Sequence, residues 1–353
     1  MRLDFFRNTL KKTNADAYLI TDTKNVYYFT GFRDIPEAAL NLVVGLEDAP
    51  ILFVSPLSMT AATENVKNCR IKGLAFGKKM IDAFITLMTE MGVKEIHYDS
   101  LLSHIHLELV KRLNIKFVPN PELATRLRRI KDETELTYVR KASELADQGI
   151  QAGIEAIKPG MKEYEVAAAA EHAMRSRGSE GTSFETIVAS GPRSAYPHGL
   201  ATTRVIHEGD LVTVDLGATY AGYCSDLTRT VVAGHPSVKQ LQMLNLVSRA
   251  QETAFQKFSA GVKAKDVDSS ARAALANSGY APYFIHGLGH GIGLSLHESP
   301  TLSPSSEDTL EERNVVTVEP GVYIKGFGGV RIEDMVLIHK NKGERLTKVP
   351  WYL

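Results

Sequence analysis

Apolar residues in the first third of the chain fall into short runs separated by stretches with helical spacing. Runs of β-branched and aromatic residues with the length of a strand occupy positions 17–21, 25–29, 40–44, 50–54 and 95–99. Apolar positions recur at helical intervals, with few helix-breaking residues, over 57–66, 79–91 and 103–113. Alternation of the two patterns predicts an α/β domain built around a mostly covered sheet.

Two prolines mark the end of this region. They lie in the segment V-P-N-P at 118–121, and a helix does not continue through such a segment. We therefore place the boundary between two domains after residue 122, which gives domains of residues 1–122 and 123–353. The chain has 353 residues, enough for two domains with separate cores. An ordinary surface loop is the alternative interpretation of the segment.

Helical signals dominate the start of the second domain. Asp132 followed by Glu135 has the pattern of an N-cap and capping box, which predicts a long helix ending near Ile157. A second amphipathic helix is predicted over 163–177, because Gly178 is a typical residue just beyond a helix end.

A weak internal repeat follows from these helix ends. The residues G-M-K at 160–162 resemble G-V-K at 261–263, and the glycines predicted to end the next helix, Gly178 and Gly279, keep the same offset of 101 residues. A duplicated domain whose halves face each other across a cleft would explain the repeat. Coincidence between two helix-turn-helix passages is the alternative.

Charge and cysteine content narrow the class of protein. The 41 basic side chains equal the 41 acidic ones in number, so no net charge attracts nucleic acid or a membrane surface. Cys69 and Cys224 are too few for a disulfide framework or a thiolate zinc site. The first twenty residues lack a signal-peptide core, and no apolar run is long enough to span a bilayer. We expect a cytoplasmic enzyme with neither nucleic-acid nor membrane partners.

Two aspartates flank a predicted hairpin in the second domain. Asp215 ends an apolar strand, Gly222 serves the turn, and Asp226 is predicted to lie in the returning strand. Two facing carboxylates in a core repel each other and resist ionisation unless a cation lies between them. A metal site is therefore one interpretation, and aspartates that belong only to the turn are the other.

Histidines are concentrated in the segment 286–298. His286, His290 and His297 lie within twelve residues and are interleaved with glycines at alternate positions. These glycines argue against a helix and for extended backbone that other groups approach closely. A single histidine here would be interpreted as structural, but the cluster favours a functional site.

Two glutamates complete the candidate site. Glu319 and Glu333 each follow a strand-like run, and either alone would be an ordinary edge-strand glutamate. Together with the aspartates and His290 they offer four carboxylates and one imidazole, a donor set that suits Mn, Fe, Co or Zn. The charge of about −4 balances two divalent cations, which can activate water and polarise a carbonyl. The set therefore predicts a hydrolase site.

Four segments of this region resemble the M24 "pita-bread" metallopeptidases. They are D-x-G-A-x-x-x-G-Y-x-S-D-x-T-R-T from 215, H-G-x-G-H-x-x-G-L-x-x-H-E from 286, V-E-P-G from 318 and G-G-V-R-I-E-D from 328. The likeness is greatest to the Xaa-Pro dipeptidases (prolidases) and Xaa-Pro aminopeptidases. N-V-Y-Y-F-T-G-F from 25 is similar to their first domain. The resemblance implies an α/β two-domain fold, with a creatinase-like α/β N-terminal domain and a duplicated pita-bread α+β catalytic domain.

The resemblance also implies how the five candidate ligands act. Asp215 and Glu333 would be among the carboxylates that bridge two metal ions, while Asp226 and His290 would each hold one ion. Glu319 would be a ligand and would carry protons to and from the nucleophilic water. The expected cofactors are two divalent ions per chain, Mn or Co, with Zn or Fe as alternatives.

Four further residues match family positions with implied roles. His198, from the first half of the duplicated domain, and His297 would bind substrate and take part in catalysis. His286 would bind substrate in the prolyl pocket. Arg331 would be hydrogen-bonded near the metals and belong to the catalytic group.

The implied substrates are proline-containing peptides, and the implied assembly is a homodimer. Many prolidases carry an arginine shortly after the His-Glu pair that can hold the free carboxylate of a dipeptide, but Thr301 stands there in this chain. An Xaa-Pro dipeptidase remains the main expectation, and an Xaa-Pro aminopeptidase for longer peptides is the alternative. A catalytically silent binding module is a remote alternative, because the ligand positions are intact.

Overall fold

The chain divides into two compact units. The structure is a computed structural model, and it describes residues 2–34, 40–74, 78–100 and 103–351. The units are Met1–Arg128 and Arg129–Leu353.

A mixed sheet forms the first unit. Its strands within the described residues are β1 (Ala17–Ile20), β2 (Asn41–Gly45), β3 (Ile51–Val54), β4 (Arg70–Gly73), β5 (Glu95–Tyr98) and β6 (Lys116–Pro119). Their order is β4-β3-β2-β1-β5-β6, with β2 antiparallel to both of its neighbours and the other pairs parallel. The predicted strands at 17–21, 40–44, 50–54 and 95–99 are confirmed.

Helices cover this sheet, as the alternating pattern predicts. They are α1 (Arg2–Leu10), α2 (Thr23–Thr30), α3 (Met59–Asn65), α4 (Lys78–Glu90), α5 (Ser103–Arg112) and α6 (Glu122–Arg128). Apolar side chains of the sheet, such as Val43, Phe53 and Ile96, pack with Phe84 and Leu87 of α4 in one buried cluster.

The strand predicted at 25–29 is wrong, because these residues belong to helix α2. Asp22 caps the helix by accepting hydrogen bonds from the backbone N–H groups of Lys24 and Asn25, at 2.9 and 3.0 Å. Gly31, with a φ of 72°, ends it in the left-handed conformation. The two caps outweigh the strand preference of the aromatic residues between them.

The V-P-N-P segment lies in the first unit. Its first two residues end strand β6, and helix α6 follows before the division at Arg128. Proline has no N–H for a sheet ladder, but β6 is an edge strand, where that loss is tolerated. The division thus falls after α6, whereas the prolines alone place it after residue 122.

The second unit begins with the two predicted helices and repeats them. Its helices are α7 (Glu133–Ala156), α8 (Glu163–Ser176), α9 (Val238–Phe255) and α10 (Ala264–Ala276). Asp132 and Glu135 form the predicted capping box at the start of α7. Helices α8 and α10 start 101 residues apart, and Gly178 and Gly279 follow them with φ values of 104° and 78°. The duplicated pattern of long helix, turn and shorter helix is confirmed.

Each half of the repeat places antiparallel strands beside its helices. The strands are β7 (Gly181–Thr182), β8 (Ile187–Ser190), β9 (Leu211–Leu216), β10 (Ala218–Tyr220), β11 (Tyr223–Cys224), β12 (Leu227–Val232), β13 (Gly289–Gly291), β14 (Glu298–Leu302), β15 (Val315–Val318), β16 (Gly321–Ile324), β17 (Gly328–Arg331), β18 (Asp334–Ile338) and β19 (Gly343–Arg345). The first half contains sheet β12-β9-β8, and the second contains β14-β13-β15-β18-β19.

Each half has its own apolar cluster. Ile150 of α7 and Val166 of α8 pack with Val214 of β9 in the first cluster. Val247 of α9 packs with Val336 of β18 in the second. Across the described ranges, the helices are either too short or too polar to cross a membrane.

Candidate active site

Asp215 lies on the central strand of its sheet. It is in β9, paired with Thr228 of β12 on one side and Ile187 of β8 on the other. Every residue of β9 is buried, so its carboxylate is held in a rigid and largely dry environment. Arg331 donates a hydrogen bond from Nη2 to Asp215 Oδ2.

Asp226 was predicted within the returning strand, and that prediction is wrong. It lies in the break between β11 and β12. The ladder is interrupted at Gly217, where a Cβ atom would lie 1.8 Å from the carbonyl oxygen of Ser225. Only glycine permits this approach, and the irregular backbone there carries Asp226 to the second half, where its N–H donates to Met335 Sδ at 3.4 Å.

His290 lies in the middle of the short strand β13, with the extended backbone that the glycines predict. A Cβ atom at Gly289 would lie 2.2 Å from the carbonyl oxygen of Thr317, and one at Gly291 would lie 2.4 Å from that of Ser299. The backbone N–H of His290 donates to Thr317 Oγ1 at 3.1 Å. The glycines thus let β13 pack closely between its neighbours.

Both glutamates come where a strand ends, as predicted. Glu319 directly follows β15, and Thr317 Oγ1 donates to Glu319 Oε1 at 3.2 Å. Glu333 lies between β17 and β18, and Thr228 Oγ1 donates to Glu333 Oε2 at 2.7 Å. A threonine hydroxyl therefore orients each carboxylate.

These residues converge on one cavity of about 830 Å³. His290 Nε2 lies 3.5 Å from Asp226 Oδ2 and 3.5 Å from Glu319 Oε1. One potential ligand atom from each of Asp226, His290 and Glu333 lies within 4.8 Å of the other two. Asp215 lines the same cavity. The structure therefore brings all five candidate ligands together.

Burial and mutual repulsion raise the pKa values of the carboxyl groups in this cavity. Burial raises the pKa of Asp226 to about 6 and that of Glu319 to about 7, and repulsion from neighbouring carboxylates adds to both shifts. The pKa of Glu333 lies well above its usual value for the same reasons. Burial opposes the charged form of His290, yet Asp226 and Glu319 raise its pKa to about 9.

The donor set fits divalent cations. Asp215 Oδ1 and Glu333 Oε1 are buried and have no hydrogen-bond partner in the part of the chain that the structure describes. A buried carboxylate oxygen without a partner is costly, and a cation is the partner that removes the cost for several carboxylates at once. Carboxylate oxygens and an imidazole nitrogen are suitable ligands for such ions.

Comparison with known proteins decides the family. A profile described as metallopeptidase family M24 matches residues 137–340, and one described as the creatinase/prolidase N-terminal domain matches residues 2–130. The chain belongs to metallopeptidase family M24. The expected two-domain architecture, with a creatinase-like first domain and a pita-bread catalytic domain, is confirmed. Membership of this family implies divalent metal ions.

Individual relatives of the M24 chain extend over nearly its full length. An Xaa-Pro dipeptidase of Pyrococcus horikoshii is 42% identical over 96% of this chain and 94% of its own. The structure of an Xaa-Pro dipeptidase from Bacillus anthracis matches with a TM-score of 0.95 at 34% identity, over 100% and 98% of the two chains. The structure of an X-Pro aminopeptidase from Thermotoga maritima matches with a TM-score of 0.90 at 32% identity, over 99% of this chain and 98% of its own.

Three predicted substrate-binding histidines line the cavity of this M24 chain. The ring centroids of His297 and His290 are 4.2 Å apart. His286 Nε2 lies 2.9 Å from the hydroxyl oxygen of Tyr323, and burial lowers the pKa of His286 to about 4, so it is neutral at pH 7. His198 lies on the exposed loop after β8.

Arg331 is buried among the predicted ligands, as expected for a residue near the metals. Besides the bond to Asp215, its Nη1 donates to Tyr323 Oη at 2.8 Å and its Nε donates to Thr228 Oγ1 at 3.2 Å. The neighbouring carboxylates and Tyr323 keep its pKa well above the usual value despite burial. The guanidinium is thus committed to positioning Asp215.

Sequence reasoning missed Tyr323 and the threonines as parts of this site. Tyr323 bridges His286 and Arg331, but in the sequence it is an ordinary aromatic residue of a strand. Thr317 lies two residues before Glu319, and period-two spacing was the signal that could have identified it. Thr228 donates to Glu333, a residue distant in the sequence, so no local signal identifies it.

Proposed function

We propose that this chain hydrolyses the peptide bond before proline, as an Xaa-Pro dipeptidase. The observation that carries the proposal is the single cavity in which the five candidate ligands and three histidines meet. Relatives described as Xaa-Pro dipeptidases support it at full length.

We assign the metal site to five residues, which would hold two divalent ions per chain, with Mn or Co ahead of Zn or Fe. The ligands are Asp215, Asp226, His290, Glu319 and Glu333. Their unpartnered buried oxygens and summed negative charge support this assignment. Such ions, when bound, supply activated water and a Lewis acid for the scissile carbonyl.

Glu319 is the residue that would carry the proton during hydrolysis. Thr317 orients the carboxylate of Glu319, and His290 Nε2 lies 3.5 Å from Glu319 Oε1. Glu319 would accept a proton from the attacking water and deliver it to the prolyl nitrogen as the bond breaks.

The histidines would recognise the substrate. The amide nitrogen of an Xaa-Pro bond carries no hydrogen, so recognition depends on the ring and the carbonyl oxygen. His286 is neutral and lies at the wall of the cavity with Ile285, a suitable environment for an apolar ring. His297 and His198 would bind the carbonyl and the end of the substrate, while Arg331 supports catalysis by holding Asp215.

An Xaa-Pro aminopeptidase acting on longer peptides is the second candidate. Thr301 lines the cavity, and among the described lining residues Arg331 is the single arginine. Since Arg331 already binds Asp215 and Tyr323, a dipeptide carboxylate would depend on histidines or on a partner subunit. This need for a cationic group is our reason to propose a homodimer. The low cysteine content, two residues in 353, agrees with the proposed cytoplasmic location.

Two substrates of different length distinguish the candidates. The Mn²⁺-loaded protein is assayed on Met-Pro and on the same pair extended by two residues, at matched concentration, with chelated protein as control. We expect cleavage of Met-Pro and slower cleavage of the longer peptide. A clear preference for the longer peptide identifies an aminopeptidase, and no metal-dependent cleavage of either contradicts both candidates.

A further inference from the structure

A buried amide on helix α9 links the two segments that carry the glutamates. Gln251 is 2% exposed. Its Nε2 donates to the carbonyl oxygens of Val318 and Ile332, both at 3.2 Å. Each of these carbonyls belongs to the residue directly before a candidate ligand, Glu319 in one case and Glu333 in the other.

The two segments leave regular strand structure at these points. Glu319 lies in the gap between β15 and β16, and Glu333 lies in the gap between β17 and β18. Backbone at such places is not fixed by a continuous ladder of hydrogen bonds. The N–H of Ile332 donates to the carbonyl oxygen of Pro320 at 3.4 Å, and the amide group of Gln251, which binds both carbonyls, is a second link between the two glutamate segments.

The corresponding helix of the first half carries an apolar residue at this offset. The residue 101 positions earlier is Ile150 of α7, which is fully buried in the first apolar cluster. An amide buried at the equivalent place costs free energy unless it is hydrogen-bonded. Gln251 differs from Ile150 in carrying an amide group, and that amide group binds the two glutamate segments.

We propose that Gln251 is a positioning residue that fixes the spacing of Glu319 and Glu333 and thereby strengthens metal binding. The inference rests on the ligand assignment proposed above. Metal ligands need to be held within a fraction of an ångström, and loss of a group that orients them typically weakens metal affinity by about 10–100-fold.

The substitution Gln251→Leu tests the proposal, because leucine has similar volume and no donor. Gln256→Leu is the matched control: Gln256 is the exposed C-cap residue of the same helix, and its Nε2 donates to Glu252 Oε1 at 2.6 Å. Mn²⁺ is titrated into chelator-treated protein by calorimetry, and thermal unfolding is recorded in chelator. We expect Mn²⁺ affinity to fall by about tenfold or more in Gln251→Leu and to stay unchanged in the control.

An unchanged Mn²⁺ affinity with a lowered melting temperature overturns the proposal, because Gln251 would then stabilise only the fold. If Gln251→Leu does not fold, Gln251→Asn replaces it: the shorter amide cannot reach both carbonyls, and Mn²⁺ affinity should again fall. Wild-type protein that binds no Mn²⁺ refutes the ligand assignment instead, and this inference with it. Peptidase activity is not needed for the measurement.

Discussion

Neighbouring histidines of the site have different expected roles. The rings of His290 and His297 are 4.2 Å apart, but His290 Nε2 faces the carboxylates of Asp226 and Glu319. We predict that His290→Ala loses bound metal, whereas His297→Ala keeps it and lowers turnover by about 10²–10⁴-fold. Elemental analysis and kinetics on the two purified variants check this. Equal metal content in both would mean that ligand and substrate-binding roles are exchanged.

Residue identities were the most predictable part of the site. Each of these aspartates, histidines and glutamates is ordinary when taken alone, but their combination indicates a site, and all five candidate ligands meet in the cavity. Tyr323 and Gln251 were not predictable, because their types are ordinary for a strand and a helix. Their contacts depend on residues distant in sequence, which no local pattern reveals.

A single carboxylate holds the element that carries His198. Glu163, at the start of α8, is fully buried. It accepts hydrogen bonds from the N–H and hydroxyl of Ser190, at 2.8 and 2.7 Å, and from those of Thr202, at 3.0 and 2.6 Å. Arg193, inside the same loop, pairs with it. Glu163 thus closes the loop at its base.

We predict that Glu163→Gln destabilises the protein, because the new amide group would face donors that it cannot satisfy. The expected loss in free energy of unfolding is about 1–3 kcal/mol. Glu165→Gln is the control, since Glu165 accepts one bond, from the N–H of Lys162 at 2.7 Å, which glutamine can keep. Denaturant unfolding of both variants checks this, and equal stabilities would contradict it.

Local sequence signals predicted helices and strands correctly where the caps and the apolar pattern indicated the same element. The capping box of α7 and the glycines after α8 and α10 fixed helix ends correctly. Helix α2 was missed because aromatic residues favour strands, while its caps lie just outside the run. The position of Asp226 was missed because the break at Gly217 depends on the approach of Ser225, a contact that period-two reasoning does not contain.

At the scale of the whole molecule, the clustered charges should make stability depend on metal and pH. Glu319 and Glu333 have folded pKa values above their unfolded values, so they stabilise the metal-free fold at low pH and lose this effect as pH rises. The raised pKa of His290, about 9, acts in the same direction. The pKa of His286 is lowered to about 4, so His286 makes the fold more stable as pH rises, but this change is complete below neutral pH.

We therefore predict that the melting temperature of chelated protein falls between about pH 6 and about pH 8. Added Mn²⁺ should raise it more at the higher pH, because binding is to the folded, deprotonated site. Differential scanning calorimetry measures both curves. Glu333→Gln should show a shallower fall, and a melting temperature that rises with pH in chelator would contradict the account.

Fold and family were predictable at this scale, since the duplication and the motifs covered nearly the whole chain. The position of the division between the two units was less predictable, because an edge strand accommodates two prolines as well as a linker does. The preferred length of the substrate was not predictable, because neutral Thr301 stands where many prolidases carry an arginine.

Metal titration linked to hydrolysis shows whether the five clustered ligands form a two-metal peptidase site. Chelator-treated protein is loaded stepwise with Mn²⁺ while bound metal and Met-Pro cleavage are measured on the same samples. We expect two Mn²⁺ ions per chain, no cleavage of Met-Pro before metal is added, and cleavage that appears as the site fills. Hydrolysis that continues unchanged in chelator, in protein that contains no metal, would contradict it.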